Sequence, residues 1–359
     1  MIGPVIAAFL ILFSRKLNYR KIFLAGALFS IAALFKIPAA FDMAVIVAFW
    51  LITANFNKEG IKKIIKKTFI LAFGFILPIA ATFVWFYLKG TLHEYLVAAF
   101  LQNFGYLSSW KGQVVIHQPI LLKNASLLIR VFIVIFCTGT LFFFRKKLSR
   151  QFIFSTIWLV FTLFAVTLSE RPYPHYLIQS LGPISILLAI LSSGKNLEQS
   201  LVIFPLTLAF LVPVVYKFWL YPTTSYYLRF IKFSTRQISK EEYLSSFSHQ
   251  TARNYRIADF IVSSTRPADR VFVWSKDSPT IYALSRHFPP IKYVADYHIN
   301  DFSNKKAVVT TLEKTVPKFI ILTSDTEPFP QIYPLLRRHY VLVNRIADAE
   351  IWSLKTVLW

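Results

Sequence analysis

The sequence predicts a multi-pass α-helical membrane protein with a small α/β domain at its C-terminus. Of its 359 residues, 55% are hydrophobic and 16% are charged, a balance typical of integral membrane proteins. Apolar runs near the length of a bilayer core recur up to residue 221. Beyond it, serine, threonine and charged residues become frequent and the apolar runs shorten. We therefore expect a transmembrane bundle over 1–221 and an extracytoplasmic α/β domain over 222–359.

The positive charge is distributed as a topology signal. Residues 1–221 contain 21 Lys and Arg against five acids, and most of these cations lie in short loops between apolar runs. A nucleic-acid site would need them on one soluble face, so no nucleic-acid partner is expected. The single cysteine, Cys137, lies within an apolar run and excludes an intramolecular disulfide.

About eight apolar segments are predicted, near 1–14, 22–35, 38–54, 68–88, 120–144, 152–169, 177–193 and 201–221. Basic loops follow every second segment, which places them in the cytoplasm; they are 15–21, 55–67, 145–151 and 194–200. The other loops, which alternate with these basic ones, then face outward, as does everything after residue 221. We expect a multi-pass protein of the cell membrane with an extracytoplasmic C-terminal domain.

The first run, Met1–Ser14, is shorter than a spanning helix requires and lacks the charged region of a signal peptide. We expect that the sequence begins partway through a helix and lacks an N-terminal portion. The alternative is a short, tilted or re-entrant first helix.

A joint at Lys36-Ile37-Pro38 divides the apolar stretch from Ile22 to Ala54. Proline restricts the preceding residue and has no backbone N–H to donate, so a turn is expected there. Lys36 and Asp42 would then lie near the outer face. Two interpretations of Lys36 stay open: its ammonium reaches the headgroup layer, or it contacts an anionic ligand.

The outer loop Lys89–Pro119 is rich in aromatic residues, and its first part, Leu92–Phe104, fits a helix along the membrane interface. It forms either an ordinary aromatic belt or a roof over a lipid-headgroup site. Glu94 in this loop is one of three acids expected on the outer side of the bundle; the others are Asp42 and Glu170.

The segment Glu170–Tyr176 reads Glu-Arg-Pro-Tyr-Pro-His-Tyr and lies between two long apolar runs. Two prolines stiffen it, and its arginine, histidine and tyrosines can bind an anion. Ionisable groups at such a position suggest function, although a polar turn between two helices would look similar.

After residue 221, alternating helices and strands indicate a small α/β domain. We expect helices at 251–264, 278–285, 304–314 and 331–338, strands at 270–274, 291–294 and 318–322, and a closing strand pair at 340–343 and 350–354. The domain has no GxGxxG, no P-loop, no metal-ligand spacing and no nucleophile motif, so no catalytic role is predicted for it.

Three stretches of the chain resemble the later part of the multi-pass GT-C glycosyltransferases, which take a sugar from a polyprenyl-phosphate carrier. This group includes the protein mannosyltransferases and the aminoarabinose transferase of lipid A. The resemblance lies in Gly26–Asp42, in Arg171–Tyr176, and in the tail from Asn254 to Arg286, with its Ile-Ala-Asp-Phe-Ile and Asp-Arg-Val-Phe-Val-Trp sequences.

The resemblance implies transfer of a sugar from a polyprenyl-phosphate carrier lipid to an extracytoplasmic glycan, protein or lipid. The carrier phosphate would be bound by Arg171, His175, Tyr176 and Lys36. The family's catalytic carboxylate lies on a first outer loop that has no counterpart here. The catalytic carboxylate, which would act as base toward the acceptor, is therefore unknown, and its candidates are Glu94, Glu170 and Asp42.

No metal-ligand spacing occurs among the seven histidines, so no metal site is named and dependence on a divalent ion stays open. Two other function classes also stay open. One is a transporter or lipid flippase, which would usually show polar residues at helix centres or repeated half-helices. The other is a non-enzymatic anchor that displays the α/β domain to envelope partners.

Overall fold

The computed structural model describes residues 1–101, 124–168, 173–193, 197–218 and 223–355. The chain is mostly helical and divides into two compact units, Met1–Tyr221 and Pro222–Trp359. The first unit is entirely helical in its described part, and the second contains a four-stranded sheet.

The described helices of the first unit are α1 (Ile2–Leu12), α2 (Tyr19–Phe35), α3 (Ala40–Ile52), α4 (Lys58–Leu88), α5 (Leu92–Leu96), α6 (Ala125–Phe144), α7 (Arg150–Thr167), α8 (Leu181–Ser193), α9 (Leu197–Leu201) and α10 (Ile203–Tyr216). Short 3₁₀ helices at Ile37–Ala39 and Pro174–Ser180 precede α3 and α8.

Five helical stretches in the described part of the chain are long and apolar enough to cross a membrane: Lys58–Leu88, Ala125–Phe144, Arg150–Thr167, Pro174–Ser193 and Leu197–Tyr216. The helix α7 is buried along most of its length. By contrast, α4 and α6 expose rows of phenylalanine, including Phe69, Phe73, Phe132 and Phe136. Apolar outer faces of this kind suit contact with lipid tails. A helical membrane fold is thus supported.

The basic stretch 55–67 was expected to be a loop, and this expectation is wrong for most of its length because α4 begins at Lys58. The Asn57 side chain accepts a hydrogen bond of 2.8 Å from the backbone N–H of Gly60, which caps the helix. The lysines that follow favour a helix. The loop is therefore short, and its cations lie on the first turns of α4.

The expected interface helix Leu92–Phe104 is only partly described. It forms α5 and then a π-helical turn, Val97–Leu101. Residues 102–104 lie outside the described residues, as does most of the outer loop that follows.

The second unit contains α11 (Thr223–Ser234), α12 (Lys240–Ser245), α13 (His249–Ser264), β1 (Val271–Trp274), α14 (Ser278–Ser285), α15 (Asp296–Phe302), α16 (Lys305–Thr315), β2 (Phe319–Leu322), α17 (Tyr333–His339), β3 (Tyr340–Ile346) and β4 (Ala349–Leu354), with a 3₁₀ helix at Pro330–Ile332. The strand order is β1-β2-β4-β3.

The strands β1 and β2 pair in parallel, and β4 pairs antiparallel with both β2 and β3. Every residue of β1 and β2 is buried, as expected for strands covered on both faces. Phe272 and Ile320 belong to the hydrophobic cluster on one face, and Val273 and Ile321 to the cluster on the other.

The expected strand at 291–294 is wrong: this segment has no regular structure and precedes α15. Ile291 packs into the cluster on one face of the sheet and Val294 into the cluster on the other. Their burial explains the apolar pattern without strand pairing. The helices α11, α12 and α15 were not anticipated.

Candidate functional site

The candidate site of the first unit begins at Lys36, the residue that directly follows α2. Lys36 has an extended backbone (φ −161°, ψ 114°) and is followed by the 3₁₀ helix Ile37–Ala39. Pro38 accounts for this turn because it has no backbone N–H and its ring clashes with the carbonyl group four positions earlier, so α2 cannot continue through it. The expected turn between α2 and α3 is therefore present, and Lys36 is its first residue.

A second segment, Tyr173–Tyr176, supplies three rings. Pro174 starts the 3₁₀ helix that leads into α8. The Tyr173 and His175 rings stack with 5.6 Å between their centroids, and the His175 and Tyr176 rings meet edge to face at 4.6 Å. The rings thus form one compact aromatic group with polar edges.

The two segments meet through Lys36, whose Nζ lies 3.2 Å from the centroid of the Tyr176 ring. We call Lys36, Tyr173, His175 and Tyr176 the Lys36 cluster. It unites three of the four residues predicted to bind phosphate. The fourth, Arg171, lies outside the described residues, as does Glu170.

Asp42 follows the Lys36 turn in the chain, on the first turn of α3, and is only 1% exposed. Its carboxylate accepts a 2.8 Å hydrogen bond from Trp158 Nε1 and a 2.9 Å bond from Gln179 Nε2. Gln179 also donates to the carbonyl oxygen of Pro38 at 3.4 Å. The buried carboxylate therefore ties the Lys36 turn to α7 and to the segment that carries His175.

The other described acid candidate, Glu94, lies on α5. That helix packs on the end of α4 through the neighbouring Tyr95, whose hydroxyl is 2.7 Å from Thr82 Oγ1 and whose ring stacks on Phe86 at 4.2 Å. Glu94 thus belongs to the α4–α5 corner, whereas Asp42 belongs to the junction of α3, α7 and the Tyr173–Ser180 segment.

Sequence reasoning missed Gln179 and Trp158, which hold Asp42, and Arg130 of α6. Arg130 donates hydrogen bonds to the carbonyl oxygen of Thr167, at the end of α7, and to Ser126 Oγ at 2.9 Å. The sequence contained one signal for such residues. Gln179 is a polar residue within an apolar run, and a buried polar group of this kind needs a hydrogen-bond partner.

Beside Arg130, a groove of about 390 Å³ opens between α6, α7 and α10. Its walls are mainly aliphatic, with contributions such as Ile133, Leu163 and Val212, and its polar groups include Arg130 and Tyr216. An apolar groove with a cation is suited to a lipid chain with an anionic end.

The second unit has a polar network beyond the carboxyl ends of β1 and β2. Arg253 of α13 is fully buried and donates to both carboxylate oxygens of Asp348 at 2.9 and 3.0 Å and to Asp325 at 2.9 Å. Asn254 accepts from Arg253 and donates to Asp277 at 2.8 Å.

The guanidinium controls the ionisation of both aspartates. Burial alone would raise the pKa of Asp348, but hydrogen bonds from Ser324 and Arg253 and the Arg253 charge lower it to about 2. The pKa of Asp325 is also lowered: burial opposes the change, and hydrogen bonds from Thr323 and Arg253 outweigh it. Both carboxylates are therefore charged at neutral pH.

Among the described residues, no group of three or more His, Cys, Asp or Glu side chains is arranged to hold a metal ion.

Comparison of the chain with protein-family models, curated proteins and solved structures finds no match.

Proposed function

We propose that the first unit binds the phosphate of a polyprenyl-phosphate-linked sugar at the Lys36 cluster, and that the protein transfers this sugar to an extracytoplasmic acceptor. The observation that carries the proposal is the meeting of Lys36 with His175 and Tyr176, from separate segments, at the ends of apolar helices.

The Lys36 cluster offers the groups that a departing phosphate needs. When the bond between the sugar carbon and the phosphate oxygen breaks, its electron pair goes to the phosphate, whose charge requires fixed donors or cations. Within the described residues, no carboxylate forms an ion pair with Lys36, whose ammonium rests on an aromatic ring. Its charge is thus open to an anion.

The groove beside Arg130 supports a lipid carrier as donor. Its lining is mainly aliphatic, and Arg130 of α6 donates a hydrogen bond to the carbonyl oxygen of Thr167, the last residue of α7 and four positions before Arg171 in the sequence. An isoprenoid chain fits such a lining, because burial of apolar surface stabilises binding by about 25 cal/mol per Å².

The Lys36 cluster accounts for binding of the donor, and the other half of the reaction concerns the acceptor. The acceptor atom forms the new bond to the sugar carbon, and its proton passes to a base. Asp42 is poorly placed for this role because it is buried and both its carboxylate oxygens accept hydrogen bonds.

The test replaces Lys36 by glutamine. We expect co-purifying polyprenyl phosphate, measured by mass spectrometry per mole of protein, to fall about tenfold, the factor that corresponds to about 1.4 kcal/mol. Sugar transfer in membrane vesicles should fall in parallel. The matched control is Lys89→Gln, because Lys89 also lies over a ring, that of Trp85 at 5.1 Å.

The proposal fails if the wild-type protein carries no polyprenyl phosphate, or if Lys36→Gln and Lys89→Gln bind it equally. In the first case, an anchor for the C-terminal domain becomes the better interpretation.

A further inference from the structure

Two cavities in the described part of the first unit lie far from the Lys36 cluster, and the first of them is lined by Tyr19, at the other end of α2. They measure about 760 and 580 Å³ and share a wall that includes Asn55, Asn57 and Arg150. We call the two together the basic cleft. The 17 residues of α2 place it roughly 25 Å from Lys36, at 1.5 Å per residue.

Lysine and arginine side chains line the basic cleft on two sides. The first turns of α4 contribute four lysines, Lys62, Lys63, Lys66 and Lys67. Their spacing of three to four residues puts them on neighbouring positions of one helix face.

The opposite side is formed by the connection between α6 and α7. It contributes Arg145, Lys146 and Arg150. Seven cations therefore line the two adjoining cavities of the basic cleft, with Arg150 common to both, and the one carboxylate in their lining is Glu59.

Aromatic rings support several of these cations. Lys66 Nζ lies 4.7 Å from the Tyr19 ring centroid, Lys67 Nζ 5.3 Å from that of Trp50, and the Arg150 guanidinium 5.5 Å from that of Phe49. A ring attracts a cation without neutralising it.

Neutralising partners are missing from the described surroundings of the cleft, where none of the seven cations forms an ion pair with a carboxylate. The nearby acid Glu198 instead accepts hydrogen bonds from the backbone N–H and the hydroxyl of Ser149. The cleft therefore keeps a strong positive field, which costs folding free energy through like-charge repulsion unless an anion enters.

We propose that the basic cleft binds a phosphate-bearing polyanion, at a site separate from the Lys36 cluster. Lysine and arginine bind phosphate through charge-assisted hydrogen bonds, and seven cations match a ligand with more than one phosphate charge. Positive charge that served only to set membrane topology could be spread over the surface. In this protein the cations instead line cavities with aromatic walls, and this arrangement supports a binding site.

Two sources carry this chemistry: the headgroup of an anionic phospholipid and a soluble polyphosphate compound. The full-length protein in detergent is titrated with short-chain cardiolipin, whose headgroup carries two phosphate charges, and, separately, with inorganic tripolyphosphate. Binding is followed by isothermal calorimetry. Binding of cardiolipin alone assigns the site to lipid headgroups, and binding of tripolyphosphate alone assigns it to soluble ligands; either result supports the site.

The decisive comparison uses two triple variants with the same loss of charge. Lys63→Gln, Lys67→Gln and Arg150→Gln together should weaken binding of the active probe at least about tenfold. The control combines Lys16→Gln, Lys58→Gln and Lys147→Gln, whose residues lie outside the cleft lining, and should weaken binding less than about threefold.

The inference is overturned if neither probe binds the wild-type protein, or if the two triple variants lose affinity equally, which would indicate general electrostatic attraction. If the cleft triple variant loses its folded size-exclusion peak, the exposed Lys63 is replaced alone. Its affinity should then fall about threefold below that of Lys58→Gln, and equal affinities contradict the site.

Discussion

Arg253 shows how a charged side chain is accommodated inside the second unit. Its guanidinium donates to Asp325, Asp348 and Asn254 and lies 3.5 Å from Ser275 Oγ. A buried guanidinium needs several acceptors, because a charge removed from water is costly unless it is paired and hydrogen-bonded. The network therefore fixes α13 against the loops that follow β2 and β3.

The stability of this network should depend on acid pH. Because the pKa of Asp348 is lower in the folded unit than the ordinary value of about 3.9, its contribution is complete above about pH 4 and is lost as pH falls through about 2. Asp348→Asn should remove roughly 2 kcal/mol at pH 7 and flatten the decline in stability between pH 4 and 2.

Hydrogen exchange of β1 and β2 in the full-length protein, corrected for intrinsic exchange rates, measures this change. Asp259→Asn serves as control, since Asp259 lies outside the network. Equal pH dependence in the wild type and in Asp348→Asn would contradict the assignment.

Asp42 illustrates what residue-level reasoning could and could not predict. Its position next to the Lys36 turn follows from Pro38 and the apolar runs on either side. Its partners Trp158 and Gln179 are 116 and 137 positions away in the chain. No local pattern links residues so far apart, so its role in joining three segments was not predictable.

At the scale of elements, two glycines bring α2 and α4 together. A Cβ added at Gly26 would lie 2.1 Å from the Leu71 carbonyl oxygen, and one at Gly74 would lie 2.1 Å from that of Phe23. Backbone atoms cannot move aside as a flexible side chain does. Small residues at such a contact let helices in a membrane approach closely.

Replacing Gly74 by alanine should therefore destabilise the first unit by about 1–3 kcal/mol, the usual cost of overpacking. Gly139→Ala on α6 is the matched control, because a Cβ there meets nothing within 4 Å, and alanine favours a helix over glycine by about 1 kcal/mol. Thermal unfolding in detergent, followed by the folded size-exclusion peak, should separate the two variants. Equal melting temperatures would show that the helices adjust.

The sequence predicted helices and strands correctly where the local pattern of apolar residues determines the structure. The strand at β1, the helix α14 and the closing pair β3–β4 follow from buried apolar runs and their periodicity. The segment 291–294 is also partly apolar but packs as an irregular connection, with Ile291 and Val294 in the clusters on opposite faces of the sheet.

At the scale of the whole molecule, the second unit has its own core on both faces of its sheet. We therefore expect residues 223–355, expressed alone, to fold and to unfold cooperatively in urea. Circular dichroism measures the transition. Phe272→Asp, which places a charge at a fully buried position of β1, should abolish it. A linear, non-cooperative loss of signal in the wild-type fragment would contradict this expectation.

The sequence by itself determined the class of molecule: a helical membrane unit followed by a small α/β unit, with basic segments between apolar ones. Composition, run length and periodicity are local properties, and they follow from the solvent that each segment must face. Only the tertiary structure decided that Lys36 meets Tyr176, that Asp42 is held by Trp158, and that the lysines of α4 converge with Arg150 on one cleft. These contacts join distant positions, and their geometry depends on how whole helices pack.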